Sequence, residues 1–263
     1  MKTIKVDLDR ACQMIEIVPI ADAHIGDPLC DMDLLKREID YVKNNTNAYA
    51  ILNGDLLNNA IKTSVSDVYA ERVSPMDQLR IAVDLITPIK DKVLCVTSGN
   101  HEDRSYKTDG IDLTYLLCRE LGLDNRYSNS SCLLFVRFGE LKSYETNGSG
   151  KNRKVCYTIY VTHGSGGGSK TGSKANRASD LAGIVDSDIY ITSHFHTPIA
   201  FKEAFHRTDV RNSTVAMVDK LFVVTSSFLD YGGYGEKFNF KPTSKDNPHI
   251  LLSGTRKQFT AKI

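Results

Sequence analysis

The chain has 263 residues, room for one large domain or two small ones, and on the order of three quarters of its unfolded surface can be buried. Its 33 basic and 32 acidic side chains nearly cancel, which excludes a global field directed at nucleic acid or a membrane surface. The six cysteines are dispersed with no Cys-x-x-Cys, which reads as reduced, mostly buried thiols rather than a disulfide or zinc framework. The opening MKTIKVDLDR lacks the apolar core of a signal peptide, and no run approaches the roughly 18 apolar residues of a membrane span. A soluble cytoplasmic protein is the expectation.

In chain order, Met14–Ile20 (MIEIVPI) reads as a buried strand running into Asp22-Ala23-His24. Asp31 or Asp33 caps a predicted helix to about Asn44, with Leu34, Leu35, Ile39 and Val42 on one side. Ala48–Leu52 is a second buried strand, ending at Asn53-Gly54-Asp55. Residues 56–73 are polar and aperiodic; Ser74-Pro75-Met76-Asp77 then supplies an N-cap, a first-turn proline and a capping-box acid for the next helix. Val93–Thr97 is a third strand, and Gly99 lets the chain turn sharply into Asn100-His101-Glu102. Asp109–Leu121 reads as one helix closed by Gly122.

The second half is denser in strands. Cys132–Phe138 and Val155–Thr162 are separated by a turn rich in Asn, Gly and Lys, and the second strand ends at His163. A Gly/Ser/Lys segment, 164–174, leads to a short helix through Leu181, and strand Asp188–Thr192 ends at Ser193-His194-Phe195-His196. Ile199–Phe205, Thr214–Val218, Leu221–Phe228 and a stretch near Gln258–Ile263 complete the strands. No linker divides the chain, so a single domain spanning 1–263 is expected, built as two packed mixed sheets flanked by helices.

Five of the seven histidines, with two aspartates and an asparagine, stand at strand ends: Asp22 and His24, Asp55, Asn100 and His101, His163, His194 and His196. Taken singly, each has an ordinary reading as a cap, a turn residue or a satisfied polar group. Together they place ligands where α/β sheets collect them, at the carboxyl ends of strands. Carboxylate, imidazole and one amide oxygen without thiolate suit manganese first, then iron, zinc or nickel. Asp22, His24, Asp55, Asn100, His163, His194 and His196 are too many ligands for one four-coordinate zinc. They suffice for two ions about 3.5–4 Å apart.

Asp22-x-His24, Gly54-Asp55, Gly99-Asn100-His101-Glu102, His163 and His194-x-His196 resemble, in order, the five motifs of the calcineurin-like metallophosphoesterases, bacterial and phage members above all. The resemblance spans roughly residues 14–200 and implies a four-layer α/β/β/α sandwich. It also implies that Asp22, His24 and His196 hold one divalent ion, that Asn100, His163 and His194 hold the other, and that Asp55 bridges them. His101 is then no ligand but lies over the scissile phosphate. Two cations bring a shared water's pKa down towards about 7, so hydroxide is available to attack phosphorus in line while His101 supplies a proton. Two departures stand out: Ser193 where the family usually has Gly, and Leu56-Leu57-Asn58-Asn59 where many members place an acid.

The implied activity is phosphoester hydrolysis, with phosphodiesters, nucleotides or DNA favoured and a phosphomonoesterase as the alternative. A non-catalytic scaffold of the same fold is disfavoured because no ligand is missing. Gly164–Thr171 nearly matches a P-loop, but Ser169 stands where glycine normally precedes the lysine, and no later apolar strand ends in an aspartate suited to magnesium. From Thr146 to Ser179 there is no acid but six cations: Lys151, Arg153, Lys154, Lys170, Lys174 and Arg177. The last three follow His163 on a glycine-rich loop, so residues 164–177 are expected to close over a substrate's non-scissile phosphates.

Overall fold

In the computed structural model, which describes residues 1–62, 64, 66–141, 153–168 and 170–263, the first strand is one the apolar pattern conceals. β1 (Lys2–Asp7) buries only Ile4 and is followed by the expected β2 (Met14–Ile20). α1 (Met32–Asn44) starts where the Asp31 carboxylate accepts the Leu34 N–H at 2.9 Å, and it buries Leu35, Ile39 and Val42. β3 (Ala48–Asn53) is followed by α2 (Pro75–Ile86), capped by Ser74, whose Oγ accepts the Asp77 N–H at 3.3 Å. β4 (Val93–Thr97) is wholly buried.

The helix expected over Asp109–Leu121 begins only at Leu113, and a separate short helix that the apolar pattern does not announce ends where it was expected to start. α3 (Asp103–Asp109) ends at Gly110 in the left-handed region, and α4 (Leu113–Leu121) starts with Asp112 accepting the Tyr115 N–H at 2.8 Å. Asp112 competes for the backbone as a cap, which is what delays the start.

β5 (Tyr127–Ser128), β6 (Ser131–Phe138), β7 (Val155–Thr162), α5 (Thr171–Asp180) and β8 (Ile189–Thr192) follow. β9 (Ile199–Asp209) and β10 (Thr214–Val224) form a long antiparallel hairpin. The expected break between Val218 and Leu221 is therefore absent: Asp219 and Lys220 stay in register with Ala204 and Glu203. Residues 225–228, expected as strand, instead leave the sheet, and the Phe228 N–H reaches the Asp22 carbonyl at 3.1 Å. α6 (Gly233–Lys237), β11 (His249–Ser253) and β12 (Phe259–Lys262) complete the chain.

Among the described residues the strands form two six-stranded mixed sheets, ordered β1-β6-β7-β8-β10-β9 and β12-β11-β2-β3-β4-β5. Ile17, Ile51 and Leu94 of one meet Leu134, Ile159, Ile191 and Val223 of the other in a dry interface. Leu35, Ile39, Leu79, Ile86 and Leu117 of α1, α2 and α4 cover the outer face of the second sheet. The opposite outer face is covered more thinly, by Ala178 of α5 with Leu181 and Ala182 against Tyr160, Tyr190 and Phe222. The layers thus run α/β/β/α, as the motifs imply. All six cysteines are free, four of them buried. Among the described residues no helix is long and apolar enough to cross a membrane.

The two strand sets that matter point one way. β2, β3 and β4 are mutually parallel in one sheet, and β7, β8 and β10 in the other, so each set delivers its carboxyl ends to one edge. Lys151, in the cation-rich run, lies outside the described residues, as does Ser169 of the P-loop-like stretch. Lys154 is tied to β1 through the Leu8 carbonyl at 2.7 Å and Asp7 at 3.6 Å, a brace across the sheet rather than a free charge.

Far from that edge, His249 on β11 lies between Glu16 of β2 at 2.9 Å and Glu38 of α1 at 3.0 Å, and Tyr41 donates to Glu16 at 2.7 Å. Burial disfavours the imidazolium, yet Glu38 and Glu16 outweigh it and raise the His249 pKa. Burial likewise opposes ionised Glu16, but Tyr41 and His249 bring its pKa down. The His249 contribution to stability is therefore complete below the unfolded value of about 6.5 and lost as pH rises through the raised folded value. The Glu16 contribution is complete above about 4.3 and lost in acid. Melting temperature should fall between pH 6 and pH 9, and His249→Gln should flatten that slope; an unchanged slope would remove the cluster from the pH response.

Candidate metal centre

Three of the five ligand-bearing segments, those after β2, β3 and β8, leave their strands through a backbone conformation that most side chains avoid. Asp22, His24, Asp55, His194 and His196 have φ between 49° and 70°, and they make up five of the eight non-glycine residues with positive φ among those described. Asp and His tolerate this left-handed region better than bulkier residues, but each instance still costs on the order of 1–3 kcal/mol. Strain gathered on the predicted ligands, and rare elsewhere, turns their side chains inward from the ends of β2, β3 and β8.

Glycine makes the turns fit. A Cβ on Gly99 would lie 2.1 Å from Asp55 Oδ1, and one on Gly54 would lie 2.7 Å from the Gly99 Cα and from His163 Nδ1. Asn53, at the end of β3, ties the two sheets together. Its amide donates to the Thr162 carbonyl at 2.9 Å and to Ser193 Oγ at 2.7 Å, while its oxygen accepts from Thr97 Oγ1 at 2.6 Å. The serine found where the family usually has glycine is thus put to use, as an acceptor in a fully buried seam. The Asn53 carbonyl also meets His163 Nδ1 at 2.7 Å, which fixes that ring with Nε2 towards the site.

Seven predicted ligands converge. Asp22, His24 and His196 form one group whose ligand atoms all lie within 4.8 Å of one another; Asp55, His163 and His194 form another. His196 Nε2 is 3.1 Å from Asp22 Oδ1 and 3.3 Å from His24 Nε2. In the second group His163 Nε2 is 3.1 Å from Asp55 Oδ2 and 3.2 Å from Asn100 Oδ1. Donors sharing an ion at about 2.1 Å stand about 3–3.4 Å apart, so these spacings suit a cation in each group. Asp55 also groups with His24 and His101, which puts its carboxylate between the clusters, where a bridging ligand belongs. The His24 Nδ1 is buried without a partner, so that ring is held from its other side and by edge contact with His101, centroids 4.3 Å apart.

The electrostatics match a site built for positive charge. Burial opposes ionised Asp55, but His163 overrides it and holds the carboxyl well below its usual range. Burial likewise opposes charge on His163, yet Asp55 pushes its pKa up to about 10. Burial, then the neighbouring His101, depresses His24 well below the ordinary histidine value. A proton on His163 stands where a cation would, and a bound ion would take its place.

His101 is set apart from the ligands. Its Nδ1 faces the Asn58 carbonyl at 2.8 Å, its Nε2 faces Arg104 at 2.9 Å, and Asp55 Oδ2 is 3.9 Å away. Burial pushes its pKa down to about 4. Asn59, buried with φ 43°, donates to the His101 carbonyl at 2.8 Å. The Asn58 backbone carbonyl and the Asn59 amide thus hold His101 at its ring and at its backbone.

Glu102 went unassigned in the motif, and it has a clear task. It is buried, and its carboxylate accepts the N–H groups of Asp55 at 3.0 Å, Gly99 at 3.1 Å and Leu57 at 2.9 Å. Burial and the nearby Asp55 push its pKa up to about 7. An acid beside a ligand at a turn rich in unpaired N–H groups was the signal available in the sequence.

The cation-rich segment meets the site unevenly. Lys174 donates to the Phe195 carbonyl at 2.9 Å and to Thr197 Oγ1 at 2.5 Å, bracing the loop that carries His194 and His196. Arg177 reaches the Ser165 carbonyl at 3.3 Å, and Lys170 is exposed at the start of α5.

No family model matches the chain, and no curated protein matches its sequence. Solved structures match along nearly its whole length. A predicted phosphoesterase from Streptococcus pneumoniae is 12% identical with TM-score 0.38, covering 96% of this chain and 100% of that one. Vacuolar protein sorting 29 from Cryptosporidium parvum is 12% identical with TM-score 0.42, over 95% and 98%. A metallophosphoesterase from Sphaerobacter thermophilus is 10% identical with TM-score 0.39, over 95% and 89%. Likenesses this distant say nothing of activity; the two sheets, the layer order and the ligand-bearing strand ends stand on this chain's own coordinates. By those features the chain has a four-layer α/β/β/α fold of the kind its five motifs imply.

Proposed function

We propose that the chain is a metal-dependent phosphoester hydrolase with a two-ion site, acting on phosphodiesters of the nucleotide or nucleic-acid type. The observation that carries this reading is the pair of Asp/His groups at the joined strand ends, with Asp55 between them. Asp22, His24 and His196 would hold one divalent ion, Asn100, His163 and His194 the other, with Asp55 shared and manganese the first choice. When bound, the ions supply an activated water and neutralise charge on the phosphoryl group. The chain's own residues then position and protonate. His163 is oriented by the Asn53 carbonyl, and His101 is oriented by the Asn58 carbonyl beside the Asp55 carboxylate. His101 delivers a proton to the leaving oxygen once an anionic substrate favours its charged form.

The rim is open, with the His196 side chain 32% exposed, which leaves room for a phosphorus bearing two substituents. Residues 164–168 follow His163 directly, and Lys174 reaches the loop that carries His194 and His196. Lys170, exposed at the start of α5, would meet a non-scissile phosphate, while Lys174 and Arg177 hold the loop.

Manganese-loaded protein should carry close to two ions per chain and turn over a diester or linear DNA faster than a monoester. Asp55→Asn should lower occupancy of both positions together. One tightly held ion, or activity surviving exhaustive chelation, would sink the two-ion reading; rapid turnover of the monoester alone would sink the diester preference.

A further inference from the structure

Among the described residues Arg104 has only neutral hydrogen-bond partners, while the carboxylates of Asp55, Glu102 and Glu71 nearby favour its charge. Its Nη1 donates to the Asn58 carbonyl at 3.0 Å, the Asn59 carbonyl at 3.4 Å and Ser66 Oγ at 3.2 Å. Its Nη2 meets His101 Nε2 at 2.9 Å. Since His101 Nδ1 faces a carbonyl and must carry the hydrogen, Nε2 presents its lone pair to the guanidinium. That is the same nitrogen whose proton the leaving oxygen would take. In this arrangement Arg104 occupies the place of the departing group, and it cannot itself give up a proton. A half-buried guanidinium beside a phosphoester site, satisfied only by carbonyls, a hydroxyl and an imidazole, is an incomplete anion site.

We propose that Arg104 is a substrate-binding residue whose guanidinium leaves His101 Nε2 for a non-bridging oxygen of the scissile phosphoryl group. The anionic oxygen is the stronger acceptor, so substrate draws Nη2 away from the ring. The exchange does two things at once: it clamps the phosphoryl group and uncovers the His101 Nε2 that faces the leaving oxygen. Asn58 joins the pair, since its carbonyl accepts from both His101 and Arg104 and keeps the imidazole in place while the guanidinium shifts. The proposal rests on the hydrolase reading above and adds a residue that reading does not use.

The test compares wild type, Arg104→Gln and Arg104→Lys, all manganese-loaded, by titration calorimetry with inorganic phosphate alongside KM and kcat for a diester. Arg104→Gln should keep its metal content and melting temperature while binding phosphate about 10–100-fold more weakly, with KM raised in step. Arg104→Lys, which keeps the charge but not the fork, should fall between. Unchanged phosphate affinity with a reduced kcat would overturn the proposal, leaving Arg104 as a positioning residue for His101. Loss of manganese or of the melting transition in both variants would overturn it too, making Arg104 a brace for the 58–66 segment. A wild-type protein that binds phosphate through Arg104 but hydrolyses no ester would sink the hydrolase reading and leave the binding role standing. An active hydrolase whose Arg104→Gln variant binds phosphate normally would do the reverse.

Discussion

His101→Ala is expected to keep its metal ions and lose about 10²–10⁴-fold in hydrolytic rate. The ions should stay because both ring nitrogens of His101 are already engaged, Nδ1 by the Asn58 carbonyl and Nε2 by Arg104. The rate should fall because no other imidazole near the Asp55 carboxylate is outside the predicted ligand set. A leaving group that is a good anion needs little protonation, so the loss should shrink for a nitrophenyl diester and be greatest for an alkyl diester. Equal loss on both would assign His101 to charge stabilisation rather than proton transfer. Loss of manganese would place it among the ligands.

The strand-end ligands were legible because they obey a local rule: an apolar run stops, and a carboxylate or imidazole follows within four residues. β2, β3, β4, β7 and β8 all read that way, and their parallel arrangement then brings the ends together without further instruction in the sequence. Less legible were elements whose burial comes from a partner far along the chain. β1 buries one residue and is held by register with β6, 130 positions on from Lys2 to Cys132, so its charged sequence KTIKVD reads as a terminus. β11 is likewise positioned by β2, and its histidine by acids from two other elements. The late start of α4 turned on one cap, Asp112, inside a stretch read as helix from Asp109. Within the site, ligands could be read from residue type, but the residues that orient them could not. Asn53, Ser193, Asn58 and Asn59 act through hydrogen bonds to residues far along the chain, which exist only once the fold is in place.

Glu102 belongs to that second class, and its removal should be more damaging than that of any one ligand to the folded state itself. Glu102→Ala strips the acceptor from three buried N–H groups, those of Asp55, Leu57 and Gly99. Each orphaned donor costs about 1–3 kcal/mol, a large share of a stability of about 5–15 kcal/mol. The costs fall short of full addition, since water can enter where the carboxylate was. The turn that loses its anchor is the one holding Asp55 at φ 50°, a conformation that persists only while its surroundings enforce it. Manganese binding should therefore fail even where the variant still folds. Glu102→Gln keeps one oxygen for the three donors and turns an NH₂ towards the rest, so it should lie between wild type and alanine. Urea midpoints with manganese content read both effects on the same samples. An alanine variant with the wild-type midpoint and full metal content would show that the Asp55 turn is held by Gly99 and its neighbours without the Glu102 carboxylate.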